Sequence, residues 1–169
     1  MNAHAEAMGA DPSGHCPIMP NYGRPVVTFA RGSGTELFDS EGGRYLDFLC
    51  GLAVTSLGHS HPGVAAALAE QASTLLHVSN LFATVPQIEV ATRLDALIRS
   101  GTGEDEPGQV LFQNSGAEAN EAAIKLARKY QGRGRHGVLS AFRSFHGRTL
   151  ATLAATGQPE KHEPFQPLP

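Results

Sequence analysis

The sequence predicts an α/β fold, and three observations support that prediction. The chain has 169 residues, of which 41% are hydrophobic and 17% charged, so it is long enough to bury a core of ordinary composition. Runs of β-prone residues dominate as far as residue 62. Beyond that point, apolar residues at helical spacing alternate with short apolar runs, which is typical of helices layered on buried strands. The part before residue 62 is therefore expected to form a separate, mostly β substructure.

The first part of the chain is predicted to contain a leader, a strand and a hairpin. Residues 1–20 combine Asp-Pro-Ser-Gly turn chemistry with no hydrophobic periodicity, so we interpret them as a flexible leader. A short strand is predicted at 26–29, where the sequence is Val-Val-Thr-Phe. Two β-prone runs, 35–39 and 44–48, flank the sequence Ser-Glu-Gly-Gly, and this pattern predicts a β-hairpin.

The remainder is predicted to alternate between helices and strands. The clearest helix places Ala119, Ala123, Leu126 and Tyr130 on one face. Helices are predicted over 62–75, 86–98, 117–130 and 147–156, strands over 110–112 and 137–142, and an acidic, glycine-rich loop over 101–108.

Charge and apolar patterning disfavour several classes of protein. Thirteen basic and 16 acidic residues give a net charge of −3, which disfavours nucleic-acid partners because phosphate contacts need clustered Lys and Arg. The longest apolar run, 48–54, is about a third of the ~20 residues that a membrane-spanning helix needs. The first 23 residues lack the basic and apolar regions of a secretory signal. Cys16 and Cys50 are expected to be free thiols, so we predict a cytoplasmic protein.

The first candidate site is the sequence FQNSGAEANE at 112–121, which runs from a predicted strand into the clearest helix. Small residues after Ser115 let the backbone approach a ligand closely, and the free N–H groups and dipole of a helix start favour an anion such as phosphate. Alternatively, Ser115 and Glu118 form a Ser-x-x-Glu capping box with no ligand. The residues alone leave both interpretations open.

The second candidate site is the sequence SFHGRT at 144–149, in a predicted strand-to-helix loop, where ligands bind in open α/β sheets. Phe145 could cover the face of a planar ring, and Arg148 could clamp a carboxylate with two hydrogen bonds. His146 could act as an acid, a base or a hydrogen-bond donor. A core Phe beside a surface Arg is the alternative.

The third candidate is the sequence GHSHPG at 58–63. Two histidines two residues apart could ligate a metal, but a zinc site needs a third and usually a fourth ligand, which the neighbouring sequence does not supply. We therefore predict no metal site and interpret this stretch as a turn leading into the next helix.

Taken in order, these motifs resemble the class III aminotransferases that use pyridoxal phosphate, and within that family the enzymes that act on N-acetylornithine. The matching stretches are NYGRP at 21–25, YLDF at 45–48, GHSHP at 58–62, HVSNLF at 77–82, NSGAEANE at 114–121, FHGRT at 145–149 and TGQP at 156–159. The resemblance implies the N-terminal portion of a fold-type I transferase, with the β-rich part of a small domain at 21–62 and the first, incomplete part of a large mixed-sheet domain at 63–169.

The resemblance also implies roles for individual residues. The backbone N–H groups of Gly116 and Ala117 would hold the phosphate of pyridoxal 5'-phosphate, Phe145 would stack on its pyridine ring, and Arg148 would bind the substrate α-carboxylate. The implied reaction moves an amino group between N-acetylornithine and 2-oxoglutarate, with the cofactor as electron sink. Members of the family form homodimers, so a homodimer is expected.

One departure from the family concerns catalysis. Family members are more than twice this length, and the lysine that forms the Schiff base is expected beyond Pro169. Lys125, Lys129 and Lys161 do not lie in the family's catalytic motif, so no catalytic residue is assigned and we expect this chain to be inactive alone. The alternatives are an ornithine, succinylornithine or 4-aminobutyrate aminotransferase, or a non-catalytic chain that binds phosphate compounds or a partner.

Overall fold

The structure is a computed structural model that describes residues 16–103 and 105–169. The described chain divides into two units, the first ending at Ser79 and the second running from Asn80 to Pro169. Most of the predicted leader lies outside the described residues, and its last five residues, 16–20, contain neither helix nor strand. The domain boundary predicted at residue 62 remains a prediction.

The first unit contains a three-stranded antiparallel sheet in the order β1-β2-β3. Its strands are β1 (Phe29–Ser33), β2 (Glu36–Asp39) and β3 (Arg44–Leu46). The predicted hairpin is thus confirmed as β2 and β3. The strand predicted at 26–29 was placed too early, because β2 ends at Asp39, opposite Phe29, and earlier residues have no strand facing them. Accordingly, the side chain of Val26 is 86% exposed.

Asp39 organises the hairpin turn. Its Oδ1 accepts hydrogen bonds from the amides of Glu41 (3.0 Å) and Gly43 (2.7 Å), and its Oδ2 accepts one from the Tyr45 hydroxyl (2.9 Å). Such side-chain bonds to nearby amides favour a turn over a continuing strand. Gly42 completes the turn with a φ of +89°, which only glycine adopts readily. Local chemistry therefore explains why this hairpin was predictable.

The segment after β3 is tied to the sheet by Asp47 and His59. The Oδ2 of Asp47 lies 2.6 Å from Nε2 of His59, and the backbones of Gly34 and His59 exchange two hydrogen bonds of 2.9 and 2.8 Å. Between them, Cys50–Ala53 form a short turn whose four residues have left-handed φ values of 51–64°. The Oδ1 of Asp47 accepts the Cys50 amide at 2.8 Å and so holds the start of this turn.

The hydrogen bond from the Cys50 amide, followed by that from His59, lowers the pKa of Asp47 below its ordinary value. A carboxyl group with a depressed pKa in the folded state stabilises that state above its unfolded pKa and loses this contribution as the pH falls. We therefore expect the stability of the first unit to decline below about pH 4. Urea unfolding between pH 6 and pH 3 should show a shallower decline in Asp47→Asn, whereas Asp105→Asn, in the second unit, should match the parent. Equal pH slopes in all three chains would contradict this role.

The first unit ends with helix α1 (Pro62–Thr74). Pro62 occupies the first turn, where its missing N–H needs no partner, and His61 Nδ1 accepts the Val64 amide at 3.4 Å. The predicted turn at 58–63 leading into a helix is therefore confirmed.

The described residues of the second unit form four α-helices. They are α2 (Val85–Thr102), α3 (Gly116–Gln131), α4 (Leu150–Ala155) and α5 (Pro159–His162), followed by a 3-10 turn at Glu163–Phe165. Helix α2 is longer than predicted and ends at the left-handed Gly103, so the predicted loop starts later than residue 101. Helix α4 begins later than predicted, because Gly147 has a φ of +135° that no helix allows.

The strands predicted over 110–112 and 137–142 are wrong for this structure. Both segments are non-helical, but neither pairs with another strand within the described chain. Since a strand exists only through hydrogen bonds to a neighbour, an apolar run without one stays unpaired. Leu111 is 67% exposed and Leu139 fully exposed. The apolar pattern was identified correctly, but the described residues supply no strand that pairs with either segment.

Among the described residues of the second unit, the buried side chains lie on α4 and on the residue that ends it. Thr152 and Thr156 are fully buried and Leu153 is 3% exposed, whereas large apolar residues of α2 and α3, such as Leu97 and Leu126, are 71% and 68% exposed. The best-packed part of the second unit is therefore the contact of α4 with its surroundings. Within 16–103 and 105–169, no helix combines the length and apolar character needed to cross a membrane.

Candidate functional site

The first part of the candidate site is the start of α3. Ser115 caps the helix in an extended conformation (φ −150°), and its Oγ accepts the Glu118 amide at 3.2 Å. The Glu118 carboxylate in turn accepts the Asn114 amide at 2.8 Å. The predicted cap is therefore present. It differs from the usual capping box in one bond, because Glu118 accepts the amide of Asn114 and not that of the capping residue Ser115.

The cap leaves two amides open. Within the described parts of the chain, neither Gly116 nor Ala117 donates its backbone N–H to a hydrogen bond. A Cβ placed on Gly116 would meet nothing within 4 Å, so space is open beside this backbone. Open amides at the positive end of a 16-residue helix favour an anion. Capping and anion binding are therefore compatible here, because they use different N–H groups.

The second part of the site is the loop from Ser144 to Thr149, which packs directly on the first turn of α3. Gly147 is buried, and a Cβ on it would lie 2.8 Å from Cβ of Ala117 and 2.5 Å from Oγ1 of Thr152. Only glycine allows this approach. The two motifs found in the sequence are therefore adjacent in space.

Two polar side chains of α3 hold this loop. The Nδ2 of Asn120 donates to the carbonyl of His146 at 2.8 Å. The Oε1 of Glu121 accepts the Thr149 hydroxyl at 2.6 Å and the Ala151 amide at 3.2 Å. Together with Ala117, these residues form a half-buried face of the helix, as their spacing of three and four residues requires.

Thr152 on α4 and Thr156 directly after it hold the loop from the other side. The Oγ1 of Thr156 accepts the His146 amide at 3.0 Å and lies 3.3 Å from the Gly147 carbonyl. The Thr149 and Thr152 hydroxyls lie 2.7 Å apart. Since Thr152 and Thr156 are fully buried, their hydrogen bonds fix the loop more strongly than exposed bonds would.

Hydrogen bonds between the segment before the loop and Gly157 form the edge of the site. Arg143 donates its amide to the Gly157 carbonyl at 2.7 Å, and the Gly157 amide lies 3.1 Å from the Ser144 hydroxyl. The segment before the loop is thereby anchored to the end of α4.

The loop presents Phe145 and Arg148 to solvent. Phe145 is 60% exposed, and the Arg148 guanidinium carbon lies 5.2 Å from its ring centroid, within range of a cation–π contact. An exposed aromatic face beside a guanidinium can bind a planar, anionic ligand. The interpretation of Phe145 as a core residue is wrong, because its ring is not buried.

The structure thus brings Gly116, Ala117, Phe145 and Arg148 to one region of the second unit. Sequence reasoning quoted Asn120, Glu121 and Thr156 within its motifs but assigned them no role, although they connect the helix to the loop. Their signal was weak: Thr149, Thr152 and Thr156 share a helical spacing, but short polar residues at that spacing are common.

The histidines of the third motif serve the first unit instead. His59 pairs with Asp47, and His61 caps α1. No cluster of three or more potential metal ligands exists within the described residues.

Comparisons with known proteins agree with this geometry. A family model for class III aminotransferases matches residues 18–169. The acetylornithine aminotransferase of Corynebacterium efficiens is 50% identical over 159 aligned residues, covering 90% of this chain and 37% of that relative. Among solved structures, an aminotransferase from Bacillus anthracis gives a TM-score of 0.78 at 31% identity, over 98% of this chain and 36% of that one. The omega transaminase from Pseudomonas jessenii in complex with PMP gives 0.72 at 29% identity, over 84% and 32%.

The chain spans a little over a third of the length of the curated relatives it matches. The structural neighbours confirm the predicted fold, the N-terminal portion of a fold-type I transferase with a small antiparallel sheet and helices. The match of sequence and structure extends over nearly all described residues, and the chain belongs to the class III aminotransferase family.

Proposed function

We propose that this chain carries the phosphate-binding, ring-binding and carboxylate-binding segments of an N-acetylornithine:2-oxoglutarate aminotransferase that uses pyridoxal 5'-phosphate. One observation carries the proposal: the first turn of α3, which holds the open amides, packs through Ala117 against the loop that presents Phe145 and Arg148. The name of the relative that is 50% identical supports the choice of N-acetylornithine. The PMP complex of a structural neighbour supports the choice of cofactor.

The residues present fit the cofactor. A phosphate dianion suits two unpaired N–H groups at a helix start, beside a glycine that leaves room for it. When bound, pyridoxal phosphate supplies the electron sink for amino transfer. The protein's part at this site is to bind the phosphate through Gly116 and Ala117 and to orient the ring against Phe145.

Arg148 is proposed to bind the α-carboxylate of the amino acid. Its guanidinium now lies over one face of Phe145, so a planar ring stacked on Phe145 takes the opposite face or displaces Arg148. A carboxylate that accepts two hydrogen bonds from Arg148 would draw the guanidinium away from the ring. Substrate binding and ring stacking are therefore coupled through the position of this side chain.

The covalent anchor of the cofactor is not assigned to any lysine of this chain. Lys125 and Lys129 are exposed on the later turns of α3, away from its open amides, and Lys161 is exposed on α5. We propose that the chain binds the cofactor phosphate without catalysing transamination alone. A homodimer, which the resemblance implies, and a cytoplasmic location, which the free Cys16 and Cys50 favour, are further proposals.

Replacing Gly116 by valine tests the phosphate site. The new side chain meets no protein atom at its Cβ, so the fold should survive while the open space beside the amides is filled. The probe is 4'-deoxypyridoxine 5'-phosphate, which has the ring and the phosphate but no aldehyde to react with lysines. Calorimetric titration of the chain should show affinity reduced about tenfold or more, as expected for losing a charge-assisted hydrogen bond.

The matched control is Gly101→Val, because Gly101 also lies in a helix with nothing within 4 Å of its Cβ. This variant should bind the probe like the parent. If Gly116→Val binds equally well, the start of α3 is only a capped helix, and the phosphate assignment fails.

A further inference from the structure

The second turn of α3 connects the two halves of the proposed site. Ala117, whose amide is proposed to bind phosphate, also contacts Gly147 through its side chain. Three and four residues later on the same helix face, Asn120 and Glu121 bind the loop on both sides of Arg148, at His146 and at Thr149. We infer that Asn120 and Glu121 are positioning residues, which fix the loop carrying Phe145 and Arg148 at a set distance from the phosphate site. This inference rests on the proposed function.

Glu121 acts as a helix cap for a different helix. Thr149 is the residue before α4, but its side chain does not cap that helix. Instead, Glu121 Oε1 accepts the Ala151 amide, one of the first N–H groups of α4, together with the Thr149 hydroxyl. A carboxylate at a helix start is stabilised by the helix dipole as well as by these bonds. The start of α4 is thereby fixed to α3 by a side chain 30 residues earlier in the chain.

Asn120 fixes the other end of the loop. Its amide donates to the carbonyl of His146, the residue before Gly147, whose φ of +135° directs the chain back against Ala117. The His146 amide is held by Thr156, the residue after α4. The loop is therefore restrained by α3 at two points and by the residue after α4 at a third, while the exposed side chains of Phe145 and Arg148 remain available to a ligand.

This arrangement predicts a specific pattern of binding. Inorganic phosphate needs only the open amides, whereas 4'-deoxypyridoxine 5'-phosphate needs the amides and a correctly placed Phe145. Loosening the loop should therefore weaken the second ligand and spare the first. A merely structural defect in α3 would weaken both.

The experiment compares Glu121→Ala, Glu121→Gln and Lys129→Ala in the 169-residue chain. Glu121→Gln keeps an oxygen that can accept both hydrogen bonds, and Lys129→Ala changes an exposed residue at the far end of the same helix. In Glu121→Ala, affinity for 4'-deoxypyridoxine 5'-phosphate should fall about tenfold, the effect of one lost hydrogen bond to a charged group, with affinity for phosphate unchanged. The affinity of Glu121→Gln for 4'-deoxypyridoxine 5'-phosphate should stay within about threefold of that of the parent. The glutamine oxygen keeps the hydrogen bonds, although a neutral acceptor forms weaker bonds than a carboxylate. Lys129→Ala should bind both ligands like the parent.

Amide hydrogen exchange at His146 gives a second readout that needs no ligand. Its amide bonds to Thr156 and not to Glu121, so faster exchange in Glu121→Ala reports a loosened loop. We expect exchange about tenfold faster or more, with protection restored in Glu121→Gln. Asn120→Ala should give the same acceleration and serves as the second variant if Glu121→Ala does not fold.

The two readouts separate the inference from the proposed function. If the parent binds neither ligand, the proposed function fails, and the exchange rates alone decide the positioning role. Unchanged exchange at His146 in both alanine variants would overturn the inference, even if both ligands bind. Equal weakening of both ligands by Glu121→Ala would also overturn it, since that result indicates general damage to α3.

Discussion

Gly147→Ala is expected to detach the 144–149 loop from α3 and to destabilise the second unit. A Cβ at this position would lie 2.5 Å from Oγ1 of Thr152 and 3.0 Å from Cα of Ala117, and the φ of +135° is one that alanine rarely adopts. The Thr152 side chain is fully buried, so it has no room to move away. Backbone strain and overpacking together should lower the free energy of unfolding by about 2–5 kcal/mol.

Urea unfolding measures this loss, and calorimetry with 4'-deoxypyridoxine 5'-phosphate measures its consequence for the site. Gly137→Ala is the control, because a Cβ on Gly137 meets nothing within 4 Å. The control should unfold and bind like the parent. A Gly147→Ala chain with unaltered stability and affinity would mean that the close packing of Ala117 on the loop does not exist in solution.

The second large effect is expected at Gly157. A Cβ there would lie 2.1 Å from the carbonyl oxygen of Ala141 and 2.9 Å from the amide nitrogen of Arg143. Both atoms belong to the backbone, so no side-chain rotation relieves the contact. Gly157→Ala should therefore break the 2.7 Å hydrogen bond between Arg143 and Gly157 and lower stability by about 2–4 kcal/mol.

This loss should appear as a lower thermal unfolding midpoint, with rapid exchange of the Arg143 amide. The same Gly137→Ala chain is the control, since its new methyl group changes composition equally without a clash. Retention of a slowly exchanging Arg143 amide in Gly157→Ala would show that the 141–144 segment is not clipped to the end of α4.

Features set by neighbouring residues were predictable from the sequence. The β2–β3 hairpin was predicted because Asp39 and the following glycines determine the turn locally. Helix α3 was predicted within one residue at each end, because its spacing and its serine cap are both local signals. The prediction of a strand at 110–112 was wrong for the opposite reason, since an apolar run becomes a strand only when a distant segment pairs with it.

The same distinction applies to the site. Gly116, Ala117, Phe145 and Arg148 were proposed from short motifs and from their resemblance to a family. The role of Glu121 was not proposed, because its partners Thr149 and Ala151 lie 28 and 30 residues away and local sequence periodicity does not indicate such contacts. The sequence also left capping and phosphate binding as alternatives at the start of α3. The structure makes them compatible, because the cap uses the Glu118 amide and leaves those of Gly116 and Ala117 open.

The start of α3 and the adjacent loop are proposed to bind a pyridine phosphate together. The most direct test is a nitrogen–proton NMR titration of the 169-residue chain with 4'-deoxypyridoxine 5'-phosphate, repeated with pyridoxine, which lacks the phosphate. The amides of Gly116 and Ala117 and those of the loop around Phe145 should shift together with the phosphate ligand, and the amides of Gly116 and Ala117 should not shift with pyridoxine. Shifts that are absent from Gly116 and Ala117, or that are equal for the two ligands, would contradict the claim.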